Sequence, residues 1–262
     1  MCGRFQRRLD KKQMMEAFGL GALEEMDVSL EVGLAPNYNA APGSMHPVVV
    51  WDDDFGMRAL RMMYWRFLPP YCTDPKKFNW STLHAGAENL LSSTMWKKAF
   101  QYRRCLIPAD SFVEWKTIDK KASKKTLKLP FLFALKTGDP FGIGGIWQHW
   151  RSPDGKTRMD TFAVVTVEPN EIVHDMTDHD RMPLLIEKKD YERWLQGGDV
   201  ERPPVDLLRP FDADKMKAWR VGTSINSVRN NDPSLITPDD TPEPGDDEGG
   251  ESSNGSGQMG LF

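Results

Sequence analysis

The stretch Pro130-Phe131-Leu132-Phe133-Ala134-Leu135, then Lys136-Thr137-Gly138-Asp139-Pro140, then Phe141-Gly142-Ile143-Gly144-Gly145-Ile146-Trp147 decides the fold class of this chain. Two short apolar runs rich in aromatic and branched residues, separated by a Gly- and Pro-bearing turn, read as strands of a hairpin. Working outward, Val48 to Trp51, the turn Asp52-Asp53-Asp54-Phe55-Gly56 and Met57 to Trp65 read as another hairpin. Thr161 to Val167 and Leu184 to Ile186 read as further strands. Short helices fall between them. Lys11–Phe18 lies between a capping Asp10 and a terminating Gly19, another helix runs from Asn170 to about Met176, and a third covers Lys188 to Gln196 before Gly197-Gly198. Hairpins alternate with short helices and no βαβ rhythm is present. The expectation is an α+β fold with a mainly antiparallel, barrel-like β-sheet core flanked by short helices.

The 262 residues suffice for one large domain, and nine Trp and thirteen Phe supply large apolar surfaces. No run of about 18 apolar residues is present, so no membrane span is expected. The first residues lack the charged-then-apolar pattern of a secretory signal. Cys2, Cys72 and Cys105 are too widely and irregularly spaced for a disulfide framework. His174 and His179 lie five apart, the wrong spacing for one helical face, so no metal or other cofactor is expected. These readings point to a reduced, cytoplasmic monomer. Of the 38 acids, eight fall in residues 232–262, which hold no Lys or Arg, leaving 34 basic against 30 acidic residues in the body. Such a division suits a nucleic-acid binder with an acidic tail. The Pro-, Asp-, Glu-, Gly- and Ser-rich text after Asp232 predicts a domain over 1–231 and a disordered tail over 232–262.

Cys2 becomes N-terminal once Met1 is removed, as expected when the second residue is small. It then carries a free α-amine and a thiol on adjacent carbons. With ordinary pKa values of about 8 and about 8.5, both are partly nucleophilic near neutrality. An aldehyde would condense with the amine, and the thiolate would close a thiazolidine ring. A carboxylate and an imidazole are the natural partners for the proton transfers involved.

Four segments, read with Tyr38-Asn39-Ala40-Ala41-Pro42-Gly43 and Trp65, carry a resemblance. They are Cys2-Gly3-Arg4-Phe5, the block Arg103-Arg104-Cys105-Leu106-Ile107-Pro108-Ala109-Asp110-Ser111-Phe112-Val113-Glu114-Trp115, Gly144-Gly145-Ile146-Trp147, and His179-Asp180-Arg181-Met182-Pro183. From Cys2 to about residue 225 the chain resembles the SOS-response-associated peptidase (SRAP) family, whose members sense abasic sites in single-stranded DNA and crosslink to them. The resemblance implies Cys2 as covalent nucleophile, Glu114 as its acid–base group and His179 as the group assisting opening of the abasic sugar. One departure is plain. The family usually has Asn-Ala-Arg-x-Glu ahead of the Arg-Arg-Cys block, and here His84-Ala85-Gly86-Ala87-Glu88 aligns with it, placing His84 at the sugar-contacting position; a shifted alignment would use Asn79 instead. The expected DNA contacts are Arg4, Arg103, Arg104 and Arg181, with Trp65 and Tyr71 as stacking faces and Lys97 and Lys98 as weaker contacts. Lys116, Lys120, Lys121, Lys124, Lys125 and Lys128 read as a solvated loop.

The last residues, Gln258-Met259-Gly260-Leu261-Phe262, resemble the peptide with which bacterial proteins dock on the replicative sliding clamp. Gln258, Leu261 and Phe262 would make that contact and bring the protein to the nucleoid at replication forks. Two other functional classes remain open in the sequence: a cysteine peptidase using Cys2, acting only on Met1 in its narrowest form, and a noncatalytic single-stranded DNA-binding module.

Overall fold

The computed structural model describes residues 3–20, 34–78, 81–120, 125–196 and 202–242. Cys2, Asn79, Gln258, Leu261 and Phe262 lie outside them. Thirteen strands and four α-helices are named here among the described residues. The first half holds β1 (Arg4–Arg7), α1 (Lys11–Phe18), β2 (Asn37–Ala40), β3 (Met45–Asp52), β4 (Met57–Trp65), β5 (His84–Gly86) and α2 (Lys97–Tyr102). Then come β6 (Arg104–Ala109), β7 (Ser111–Lys120), β8 (Lys125–Leu135), β9 (Phe141–Arg151) and β10 (Arg158–Val167). The last are α3 (Glu171–Thr177), β11 (Met182–Pro183), β12 (Leu185–Ile186), α4 (Tyr191–Leu195) and β13 (Met216–Arg220).

Five strands close into a barrel in the order β10-β4-β3-β6-β9, with β9 returning to β10. The β10–β4 pair is parallel and the others are antiparallel. A second, antiparallel sheet runs β13-β8-β7-β1-β2. The expected α+β class with a mainly antiparallel, barrel-like core therefore holds. The barrel wall depends on small residues in β9. A Cβ at Gly145 would sit 2.6 Å from Ile107 Cδ1, closer than packed carbons approach.

The strands predicted on either side of Thr137-Gly138-Asp139-Pro140 both exist, but they do not form a hairpin. β8 pairs with β7 and β13, whereas β9 pairs with β6, β10 and β12. The turn hands the chain from the open sheet to the barrel. Both apolar runs are buried on both faces, so neither carries the alternation that would have revealed its partner. The Val48–Trp65 hairpin and the first helix stand as expected. Asp10 accepts from the Gln13 amide while the Gln13 side chain accepts from the Asp10 amide, and Gly19 ends the helix at φ 59°.

The body does not stop at residue 231. Leu235 is buried in a small apolar cluster with Val113, Leu132, Val221 and Ile225. Trp219 Nε1 donates to Ile236 O at 3.0 Å, and Arg220 Nε donates to Asp239 O at 3.0 Å. The boundary expected at 231/232 is thus corrected: Leu235 and Ile236 supply the apolar anchor that the acidic composition around them conceals. Ending the chain after Pro242 should leave the thermal midpoint within about 2 °C. Ending it after Asn231 should lower it by roughly 5–15 °C, because losing one buried Leu alone costs about 2–5 kcal/mol. Differential scanning fluorimetry separates the two.

Candidate active site

The site begins with strand alternation in β7. Phe112 and Glu114 face one side, and Val113 and Trp115 face the other. Phe112 belongs to the main core, while Val113 and Trp115 belong to the small cluster holding Leu235. The alternation therefore drives a carboxyl inward, and Glu114 has no exposed side-chain surface. Burial pushes its pKa up to about 8, and the charge of Asp180 acts in the same direction.

His179 reaches Glu114 from the opposite layer. Asn170 caps α3 by accepting from the Val173 amide and is itself held by donation to Phe211 O at 2.8 Å. Asp178 ends the helix in the left-handed region at φ 55°, a conformation Asp tolerates better than most side chains. This reversal brings His179 Nε2 to 3.3 Å from Glu114 Oε2. Burial lowers the His179 pKa, and nearby Lys128 lowers it further against the opposing charges of Asp180 and Asp178. These shifts favour a protonated carboxyl beside a neutral imidazole near neutrality, a proton donor that becomes a base after it discharges.

β1 runs antiparallel beside β7, with Arg4 opposite Val113 and Phe5 opposite Phe112. Its N-terminal end thus lies alongside Glu114. A hollow of about 430 Å³ opens there, lined by Gly3, Arg4, Ala41, Pro42, Trp115, Lys128, Asn226 and Val228. Its ingredients are an aromatic face, two cations and a half-exposed Val228 wall, suited to a flat base with a phosphate beside it. A larger hollow, about 670 Å³ between α1 and the 135–141 turn, holds none of the expected site residues.

A family model described as SOS response associated peptidase (SRAP) matches residues 1–228. The chain belongs to the SRAP family. The abasic site processing protein YoqW of Bacillus subtilis is 34% identical over 238 residues, covering 90% of this chain and 99% of that relative. The abasic site processing protein HMCES of Xenopus tropicalis is 26% identical over 223 residues, covering 77% of this chain and 65% of its own length. A crystal structure of a Bacteroides thetaiotaomicron protein superposes with a TM-score of 0.78 at 19% identity, covering 91% of this chain and 100% of the other. That last likeness concerns the fold.

Of the residues expected at the SRAP site, the structure brings together Glu114 and His179, while Arg4, opposite Val113, lies with Trp115 on the other face of the sheet. Arg4 Nη1 donates to Asn39 Oδ1 at 2.6 Å and to Ile225 O at 2.8 Å, and its guanidinium lies 5.9 Å from the Trp115 ring centroid. Arg181 follows His179 closely but donates to Glu88 at 2.8 Å and to Thr166 O at 2.7 Å. His84, half-buried on β5, pairs with Val164 of β10, the strand whose far end pairs with Met182. The space beside Gly86 is filled by the Glu88 carboxylate, 2.3 Å from where a Cβ would stand.

Two expected DNA contacts, Trp65 and Arg104, are corrected. Trp65 alternates into the barrel, fully buried, with its Nε1 donating to Leu83 O at 3.0 Å and its ring stacked on Phe162. Arg104 is buried and caps helix ends, donating to Phe100 O at 2.7 Å, Gln101 O at 2.9 Å, Trp194 O at 2.5 Å and Gln196 O. Arg103 donates to Gln148 at 2.8 Å and lies over Trp147, in a separate hollow. Lys97 is exposed on the first turn of α2, and Tyr71 is exposed as a stacking face requires. Trp115, Lys128 and Asn226 line the site although the sequence reading did not select them. Trp115 was quoted only as the neighbour of Glu114, and Lys128 was grouped with a solvated loop, whereas it belongs to β8. No cluster of three or more metal-ligating side chains occurs among the described residues, and no helix there is long and apolar enough to cross a membrane.

Proposed function

We propose that this SRAP protein processes abasic sites in single-stranded DNA by forming a thiazolidine between Cys2 and the sugar aldehyde. The observation that carries the reading is the buried Glu114 carboxyl, 3.3 Å from the His179 imidazole and beside the N-terminal end of β1. Two peptide units separate Cys2 from Arg4, so connectivity keeps its Cα within about 7.6 Å of a residue aligned with Val113.

The steps use these groups in order. The closed deoxyribose opens when a base takes the anomeric hydroxyl proton and an acid protonates the ring oxygen, exposing the C1′ aldehyde. The Cys2 α-amine adds to that carbon, giving a carbinolamine. Glu114 donates its proton to the carbinolamine hydroxyl, water leaves, and a protonated imine remains. The Cys2 thiol loses its proton to the Glu114 carboxylate as sulfur bonds to the same carbon, closing the ring. The balance is aldehyde plus aminothiol giving thiazolidine plus one water, with Glu114 returned to its starting state. His179, its Nε2 3.3 Å from Glu114 Oε2, shares the proton during ring opening. Trp115 and Tyr71 offer stacking faces for unpaired bases, worth about 1–3 kcal/mol each, and Arg4 and Lys128 offer charge to the backbone.

The test is intact mass after incubation with a single-stranded oligonucleotide bearing one abasic site. The expected product weighs the sum of the two minus one water. An analogue lacking the aldehyde should give no adduct. If the natural abasic strand also gives none while the protein binds it, the reading is overturned in favour of a noncatalytic binder.

A further inference from the structure

The segment after β13 borders the hollow beside β1, and one side chain gathers it. Asn39 lies on β2 where the pairing with β1 slips: Phe5 faces Ala40, but Arg7 faces Asn37. One extra residue on β2 makes this a bulge, the device by which a strand re-aims a side chain. The buried Asn39 amide donates to Ile225 O at 3.1 Å, Ser227 O at 2.9 Å and Asn230 O at 2.9 Å. Its oxygen accepts from Arg4 Nη1 at 2.6 Å, and that nitrogen also donates to Ile225 O.

The gathered segment then reaches every strand around the hollow. Asn226 Oδ1 accepts from Trp115 Nε1 at 2.6 Å, Asn226 Nδ2 donates to Lys128 O at 3.3 Å, and Asn231 Oδ1 accepts from the Tyr38 amide at 2.7 Å. Segment 225–231 is thereby tied to β1, β2, β7 and β8, and Asn39 is the buried centre of the network. Arg4 is the first residue of β1, so whatever fixes its side chain fixes where the N-terminal residues join the strand.

We propose that Asn39 is a positioning residue: it locks segment 225–230 against Arg4 and so sets the approach of the N-terminal residues to Glu114. The inference rests on the crosslinking reaction proposed above. Asn39→Asp preserves volume and the acceptor for Arg4 but removes both amide hydrogens, setting a carboxylate oxygen against three carbonyls. With abasic single-stranded DNA at saturation, the maximal crosslinking rate should fall ten- to a hundredfold. The half-saturating DNA concentration should stay within about threefold. Asn231→Ala, on the exposed flank of the same network, should lower the maximal rate about threefold and decides the matter if the Asp variant does not fold. Wild-type maximal rates overturn the proposal. A loss of rate matched by loss of DNA affinity overturns it as well, since that marks a general folding role. A wild-type protein that forms no adduct defeats the reaction itself, which is a separate and recognisable outcome.

Discussion

Cys2→Ala will abolish the denaturation-stable complex with abasic single-stranded DNA while leaving noncovalent affinity within about threefold. The variant keeps the α-amine, so an imine can still form, but no sulfur is present to close the ring, and an imine hydrolyses when the complex is denatured. Cys2→Ser behaves similarly and leaves a species that borohydride traps. Blocking the amine is equally severe, because the reaction needs both nucleophiles on adjacent carbons. A protein with an N-terminal extension that survives processing should therefore crosslink no better than Cys2→Ala. The noncovalent contacts assigned to Trp115, Lys128 and Arg4 are untouched by these changes. Denaturing gels report the covalent complex, and fluorescence anisotropy reports the affinity. A stable adduct from the extended protein would overturn the aminothiol mechanism, and one from Cys2→Ala would move the nucleophile elsewhere.

What the sequence disclosed about the fold was whatever is encoded locally. The Asp10 cap, Gly19, and the Asp52–Gly56 turn act within a few residues, and each is found where it was read. Strand pairing in the 130–147 stretch is set by tertiary contacts on both faces, and a doubly buried run has no polar face to mark its register. The same limit governs the site. Glu114 and His179 were legible through the motifs around them. The alternation that buries Glu114 follows once β7 is placed, but not before. Arg104 and Trp65 stand in motif positions that suggest contact with a ligand, yet their polar atoms are taken up by Trp194 O and Leu83 O, both distant in sequence. Asn39 was quoted as part of a motif and read no further, because its partners at residues 225–230 come together only in three dimensions. Leu235 and Ile236 were outweighed by acidic neighbours, although two apolar side chains suffice to anchor a strap on an existing cluster.

Glu114→Gln should slow crosslinking by roughly two to four orders of magnitude, the range expected for a positioned proton-transfer group, with little change in DNA affinity. The pH dependence gives the sharper signature. The Glu114 pKa is raised to about 8 by burial, so the wild-type carboxyl is available as an acid below that pH and is discharged above it. Rising pH meanwhile frees the Cys2 amine and thiolate, which favours attack. The wild-type rate should consequently pass through a maximum and fall as pH rises through about 8, and the Gln variant should lack that falling limb. Stability carries the same information with its own sign. The unfolded carboxyl ionises near 4.5, while the folded one keeps its proton up to about 8. Over that window the unfolded state binds fewer protons, so wild-type stability is fully present below 4.5 and is lost as pH rises through about 8. The loss amounts to about 5 kcal/mol at the alkaline end. Gln carries no titrating proton, and its amide can still donate to His179. The difference in unfolding free energy between Glu114→Gln and wild type should therefore grow in the variant's favour from pH 5 to about pH 8 and level off by pH 9. Chemical denaturation at five pH values measures it directly. A difference that stays flat across that range would mean that Glu114 is ionised at neutrality, and the carboxyl would then serve as a base from the first step and not as the acid that expels water.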